Sequence, residues 1–169
     1  MLLLGLDPGL QRTGWGVIFS RDNTLSFRGS GVVTSDPADP LAERLDALYR
    51  GLQDVVRHYQ PDAAAVEETV INKNAGSSLK LGQARGVVLL AAAHAGMPVA
   101  EYASKTVKRA VVGTGAAQKA QVAMMVQILL PGAGPVKGDA ADALAVAVCH
   151  AHHRTQLDRM AEIMPEAQR

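Results

Sequence analysis

Four carboxylates have the type and spacing for chemistry in this chain: Asp7, Glu67, Asp139 and Asp142. Asp7 follows the apolar run LLLGL, so it ends a segment that reads as a strand covered on both faces. A carboxylate there is desolvated and needs a positive partner, and no lysine or arginine is fixed beside it locally. A divalent cation meets that need, and hard oxygen ligands favour Mg²⁺ or Mn²⁺ over zinc. Glu67 ends a second short apolar run. Asp139 and Asp142 stand three residues apart in GDAADALAVAV, on one face at the start of a helix that is apolar for its next two turns. Four such acids brought together hold two ions roughly 3.5 to 4 Å apart, one to activate an attacking water and one to stabilise the leaving oxygen of a phosphodiester. An isolated acid at a helix start is also an ordinary cap, so Asp139 keeps both readings. Glu68 faces away from Glu67 in a regular strand and reads as solvent-facing; only a bulge would make it the ligand instead.

These acids act together only if the elements carrying them meet. Residues 2–6, 14–20 and 24–34 read as three strands of an antiparallel meander, with the polar turn RDN between the second and third. Asp39 and Pro40 resemble an N-cap followed by proline at the first helical position. Leu41, Leu45, Leu48, Leu52, Val55, Val56 and Tyr59 then recur at helical spacing, up to Gln60 and Pro61. Residues 63–67 form a strand reached through that helix, so the crossover rule makes it parallel to an earlier one. Helical stretches follow at 77–95, 103–110, 117–130 and 139–152, with a fifth strand at 97–101. The pattern predicts a mixed α/β sheet with helices on both faces. If the first and fourth strands are parallel neighbours, Asp7 and Glu67 share the carboxyl edge, where such sheets place their sites. Residues 1–154 are expected to form one domain and 155–169 a loosely held tail.

Composition excludes several classes. With 48% hydrophobic and 20% charged residues the chain has a globular balance, and with 4% aromatics its core must be aliphatic and alanine-rich. Cys149 is the single cysteine, so no intrachain disulfide forms; the reducing cytoplasm is the expected compartment and core filler the expected role. No export signal and no membrane span are read. Charge is unevenly spread. Residues 1–68 hold 6 basic and 10 acidic side chains, residues 69–138 hold 8 basic and one acid, Glu101, and residues 139–169 hold 3 basic and 5 acidic. The central block of Lys73, Lys80, Arg85, Lys105, Lys108, Arg109, Lys119 and Lys137 is either a solvated face or a surface for a polyanion.

Four ordered segments, GLDPGLQRTGWGV, AVEETVINKNAGSSLKLGQARG, VKRAVVGTGAAQKAQV and GDAADALAVAVCHAHH, closely resemble the RuvC family of crossover junction endodeoxyribonucleases, in the ribonuclease H-like superfamily. The resemblance spans nearly the whole chain. It implies a five-stranded mixed sheet, three strands antiparallel and then two parallel, and a bacterial, cytoplasmic homodimer. The implied activity is paired symmetric nicking of four-way (Holliday) DNA junctions in recombination and repair. It also implies two Mg²⁺ or Mn²⁺ ions per active site and cooperation with the RuvA and RuvB branch-migration proteins. Asp7, Glu67, Asp139 and Asp142 match the family's catalytic and metal positions, and Lys108 and Lys119 match lysines of its DNA-facing site. Lys73, Lys80, Arg85, Lys105 and Arg109 are then expected to join them on DNA. Where well-known relatives carry a stacking aromatic shortly after the strand-four glutamate, this chain has Val70.

Other features carry two readings each. Gly113 and Gly115 precede a helix and suit either a phosphate cradle or plain turn geometry. Gly82 and Gly86 share a helix face, for packing on the sheet or against a two-fold partner helix. Trp15 reads as core or a packing lid rather than a DNA-stacking residue, His152 and His153 as favouring a helix C-terminus, and His150 as too far along its helix to join the acids. Alternatives to junction resolution are a related nuclease acting on another structured nucleic acid and a binding module that has lost catalysis.

Overall fold

The computed structural model describes residues 1–22, 24–68 and 74–163, with side chains through Thr155. Strands β1 (Leu2–Asp7), β2 (Arg12–Arg21) and β3 (Thr24–Thr34) form the expected antiparallel meander, with Leu4 opposite Val17 and Asp7 opposite Gly14. Helix α1 (Leu41–Tyr59) crosses over to β4 (Ala63–Glu67), which pairs parallel to β1 with Leu6 beside Val66. Helix α2 (Ala75–His94) leads to β5 (Val99–Tyr102), parallel to β4. Helices α3 (Ser104–Val112), α4 (Lys119–Leu129) and α5 (Asp139–Ile163) follow, with a short 3-10 turn at Pro131–Ala133 between the last two. The sheet order is β3-β2-β1-β4-β5, so β1 is central and pairs antiparallel on one side and parallel on the other. This is the five-stranded mixed sheet expected from the sequence.

Alternation along the strands divides the core into two layers. Leu3, Ile18, Ala63 and Ala65 pack with Val107, Val111, Val122, Val126 and Leu144 of α3, α4 and α5. Leu4, Leu6, Val17, Ala64 and Val66 pack with Leu52, Val55, Val88 and Ala91 of α1 and α2. Asp7 and Glu67 fall, by parity with Leu3, Ala63 and Ala65, on the α5 side. Helix α5 lies almost flush on that face: a Cβ on Gly5 would stand 2.1 Å from the Ala143 carbonyl oxygen, and one on Gly14 2.0 Å from that of Asp139.

Local chemistry corrects some expectations. Pro40, not Asp39, occupies the N-cap of α1, and no side chain caps that end. The preceding turn is organised by Asp36, whose carboxylate accepts from the Ala38 N–H at 2.8 Å. Gly113 is the left-handed C-cap of α3 (φ 88°), its N–H donating to the Arg109 carbonyl, so the turn geometry accounts for it without a phosphate. Helix α5 runs on to Ile163, which puts His152 and His153 in its interior instead of at its end. His152 Nδ1 lies 3.2 Å from the Ala110 carbonyl oxygen, and His153 stacks on Tyr102. Trp15 packs on the α1–α2 layer beside Tyr59, as expected. Cys149 is buried, its thiol pushed up to about 12 mainly by burial. No described helix is long and apolar enough to cross a membrane.

Candidate active site

Asp7 ends the central strand, and Glu67 ends the parallel strand beside it on the same face. The missing side chain of Gly14 lets the first turn of α5 descend onto this edge, bringing Asp139 and Asp142 with it. One carboxylate oxygen from each of Asp7, Asp139 and Asp142 lies within 4.8 Å of the others. Glu67, Asp7 and Asp142 line a common cavity of about 120 Å³ with Ser104, Lys108 and Lys119, over an apolar floor of Val107, Val122 and Ala145. All four acids of the sequence pattern therefore converge from β1, β4 and α5.

The two pairs of acids differ in their partners. Lys119 Nζ donates to Asp142 Oδ2 at 2.7 Å, and Arg12 Nε to Asp139 Oδ2 at 2.7 Å. Among the described residues neither Asp7 nor Glu67 forms a salt bridge. Burial, and then the charges of Glu67, Asp142 and Asp139, push the Asp7 carboxyl up to about 7, with Lys119 pulling the other way. Glu67 is also raised, first by burial and then by Asp142, against a hydrogen bond from Ser104 and the charges of Lys119 and Lys108. The hydrogen bond to Asp142 raises Lys119 in turn. Clustered carboxylates that hold their protons this firmly are short of positive charge, and their hard oxygens fit a divalent cation.

Lys108 and Lys119 line the acid pocket. Lys80 and Lys105 are exposed and outside its lining, as is Arg109, which borders a separate cleft with Thr106, Ala110, His152 and His153. Arg85 is half-buried and ion-paired with Glu101 of β5. Lys73 and Val70 lie outside the described residues. His150 is buried and outside the lining of the acid pocket, with Nδ1 2.8 Å from the Tyr102 hydroxyl. The sequence reading missed Arg12 and Ser104. Ser104 had a usable signal, since it opens a helix directly after a parallel strand, at the same sheet edge as Glu67. Arg12 had only its parity with Gly14.

A family model described as crossover junction endodeoxyribonuclease RuvC matches residues 3–150. A curated relative of that name from Paramagnetospirillum magneticum is 56% identical over 161 residues, covering 95% of this chain and 97% of the relative. Another from Rhodopseudomonas palustris is 58% identical over 158 residues, 94% and 91% of the two chains. Thermus thermophilus RuvC, solved in complex with a Holliday junction substrate, superposes with a TM-score of 0.84 at 35% identity, covering 92% of this chain and 96% of that one. On the matched length and the level of identity, the chain belongs to the RuvC family of crossover junction endodeoxyribonucleases.

Proposed function

We propose that this protein resolves four-way DNA junctions by paired symmetric nicks, as a homodimer with two Mg²⁺ or Mn²⁺ ions in each active site, in concert with the RuvA and RuvB branch-migration proteins. One observation carries the reading: Asp7, Asp139 and Asp142 come within 4.8 Å of one another beside Glu67, Lys108 and Lys119. Asp7, Glu67, Asp139 and Asp142 would hold the ions, which when bound supply an activated water and charge stabilisation for the leaving oxygen. Asp7 and Asp142 belong both to the three-acid group and to the cavity that Glu67 lines. Lys119, anchored on Asp142, brings an ammonium to the rim, where it steadies the negative charge that develops on a phosphate. Lys108 does the same from α3. Lys80, Lys105 and Arg109 extend the positive surface along the DNA arms, which makes binding fall steeply with salt.

The two-fold partner is supported by α2. Leu79 and Leu90 are 65% and 57% exposed on that helix, Gly82 and Gly86 recur between them at helical steps, and a Cβ on either glycine would meet nothing within 4 Å. Packing on the sheet does not explain these glycines. A second copy laid against this stripe gives an isologous contact and two equivalent active sites for two equivalent strands.

The test is cleavage of labelled four-way junctions, linear duplex and RNA–DNA hybrid, with and without Mg²⁺ or Mn²⁺. Symmetric nicks on junctions alone, abolished by Asp7→Asn with binding retained, are expected. Equal cutting of the hybrid would assign the site to another structured nucleic acid, and binding without metal-dependent cleavage would make the protein a binding module.

A further inference from the structure

The ion pair between Arg12 and Asp139 joins residues 127 positions apart, and both ends are held by backbone. Arg12 opens β2 and shares its face with Gly14, the residue whose bare Cα admits the Asp139 backbone. The turn before it is clasped. Thr13, fully buried, donates through Oγ1 to the Gly9 carbonyl at 2.8 Å and accepts from the Gly9 N–H at 3.3 Å. Ser35 Oγ donates to the Leu10 carbonyl at 2.6 Å and itself accepts from Arg44 Nε at 3.1 Å. The guanidinium therefore rises from a fixed base beside the first residue of α5.

Asp139 has a reason to leave the cluster. Its side chain is 30% exposed, and the Asp7 and Asp142 oxygens lie within 4.8 Å, so crowding with Asp142, and with Asp7 wherever that acid is ionised, favours its turning toward water when no cation is bound. Arg12 opposes that movement, as Lys119 does for Asp142. We propose that Arg12 is a positioning residue of the metal centre: it holds Asp139 by one carboxylate oxygen and so keeps the other presented for a divalent ion. The proposal rests on Asp139 being a metal ligand.

Mn²⁺ titration of the full-length, metal-free protein, with free Mn²⁺ followed by electron paramagnetic resonance, tests it. Arg12→Ala is expected to weaken Mn²⁺ binding about tenfold, the scale of losing a ligand's supporting partner. Arg12→Lys should recover most of that loss. Asp139→Asn should weaken binding too, and Arg12→Ala added to it should change little more. Thermal melting of the metal-free variants reads out any purely structural role. Unchanged or tighter Mn²⁺ binding in Arg12→Ala, with Asp139→Asn weakened, overturns the role of Arg12 alone, as does a lowered melting temperature without a binding change. Normal binding in Asp139→Asn instead overturns the assignment of Asp139 as a ligand, and the proposal with it.

Discussion

Gly14 of β2 and Asp139 of α5 touch where the helix meets the sheet: a Cβ on the glycine would lie 2.0 Å from the aspartate's carbonyl oxygen and 2.5 Å from its carbonyl carbon. Both obstructing atoms are backbone, so no side-chain rotation relieves the clash. Gly14→Ala must lift the first turn of α5, which carries two of the four acids. It is expected to cost about 1 to 3 kcal/mol of stability and to depress metal-dependent cleavage further than the fall in folded protein explains. Thermal melting and single-turnover cleavage of the same preparation check this; a wild-type melting curve with full activity would refute it.

Lys119 is exposed at the rim and tied to Asp142, which suits a group that acts on an incoming phosphate. Lys119→Ala is expected to lower the single-turnover cleavage rate on the order of 10²-fold, the loss typical of removing one charge-stabilising donor. Junction affinity should change far less, because one phosphate contact among many is lost. A matched fall in affinity with the rate at saturation intact would make Lys119 a plain DNA contact.

The stripe on α2 predicts that Gly82→Glu together with Gly86→Glu yields a monomer by sedimentation equilibrium. Within one chain a Cβ at either position meets nothing within 4 Å and both glycines are exposed, so the fold and Mn²⁺ binding should survive. Persistence of a dimer would move the interface elsewhere.

His150 sets a pH dependence of stability opposite in sign to that of Asp7. Burial, then the charges of Arg154 and His153, push its imidazole down to about 4 from the usual 6.5. As pH falls below 6.5 the unfolded chain takes up a proton that the folded chain refuses, so stability present above 6.5 is lost progressively toward pH 4. The loss is about 1.4 kcal/mol per pH unit in that window, or about 3 kcal/mol in all. The difference in stability between wild type and His150→Leu in denaturant melts at pH 7, 5.5 and 4.5 isolates it, because Asp7, raised to about 7 mainly by burial, acts on both proteins alike and in the opposite direction across that window. An imidazole titrating near 6.5 by NMR in the folded protein would contradict it.

The acids were legible because their positions were local facts: Asp7 and Glu67 end apolar runs, and Asp139 and Asp142 share one helical turn. Sheet order followed from the same runs and the crossover rule. The pairings of Arg12 with Asp139 and Arg85 with Glu101 were not legible, since each depends on where two separate elements come to rest. The N-cap of α1 was misplaced by one residue because Asp36 and Asp39 offer the same chemistry and only the turn decides between them. The interior placing of His152 was missed because the apolar pattern of α5 stops several turns before the helix does.

Anomalous diffraction from crystals grown or soaked with Mn²⁺ tests whether the clustered carboxylates hold cations. A manganese peak within coordination distance of Asp7 and its neighbours, lost in Asp7→Asn, is the expected result. Manganese bound elsewhere on the molecule with none among Asp7, Glu67, Asp139 and Asp142 would contradict it.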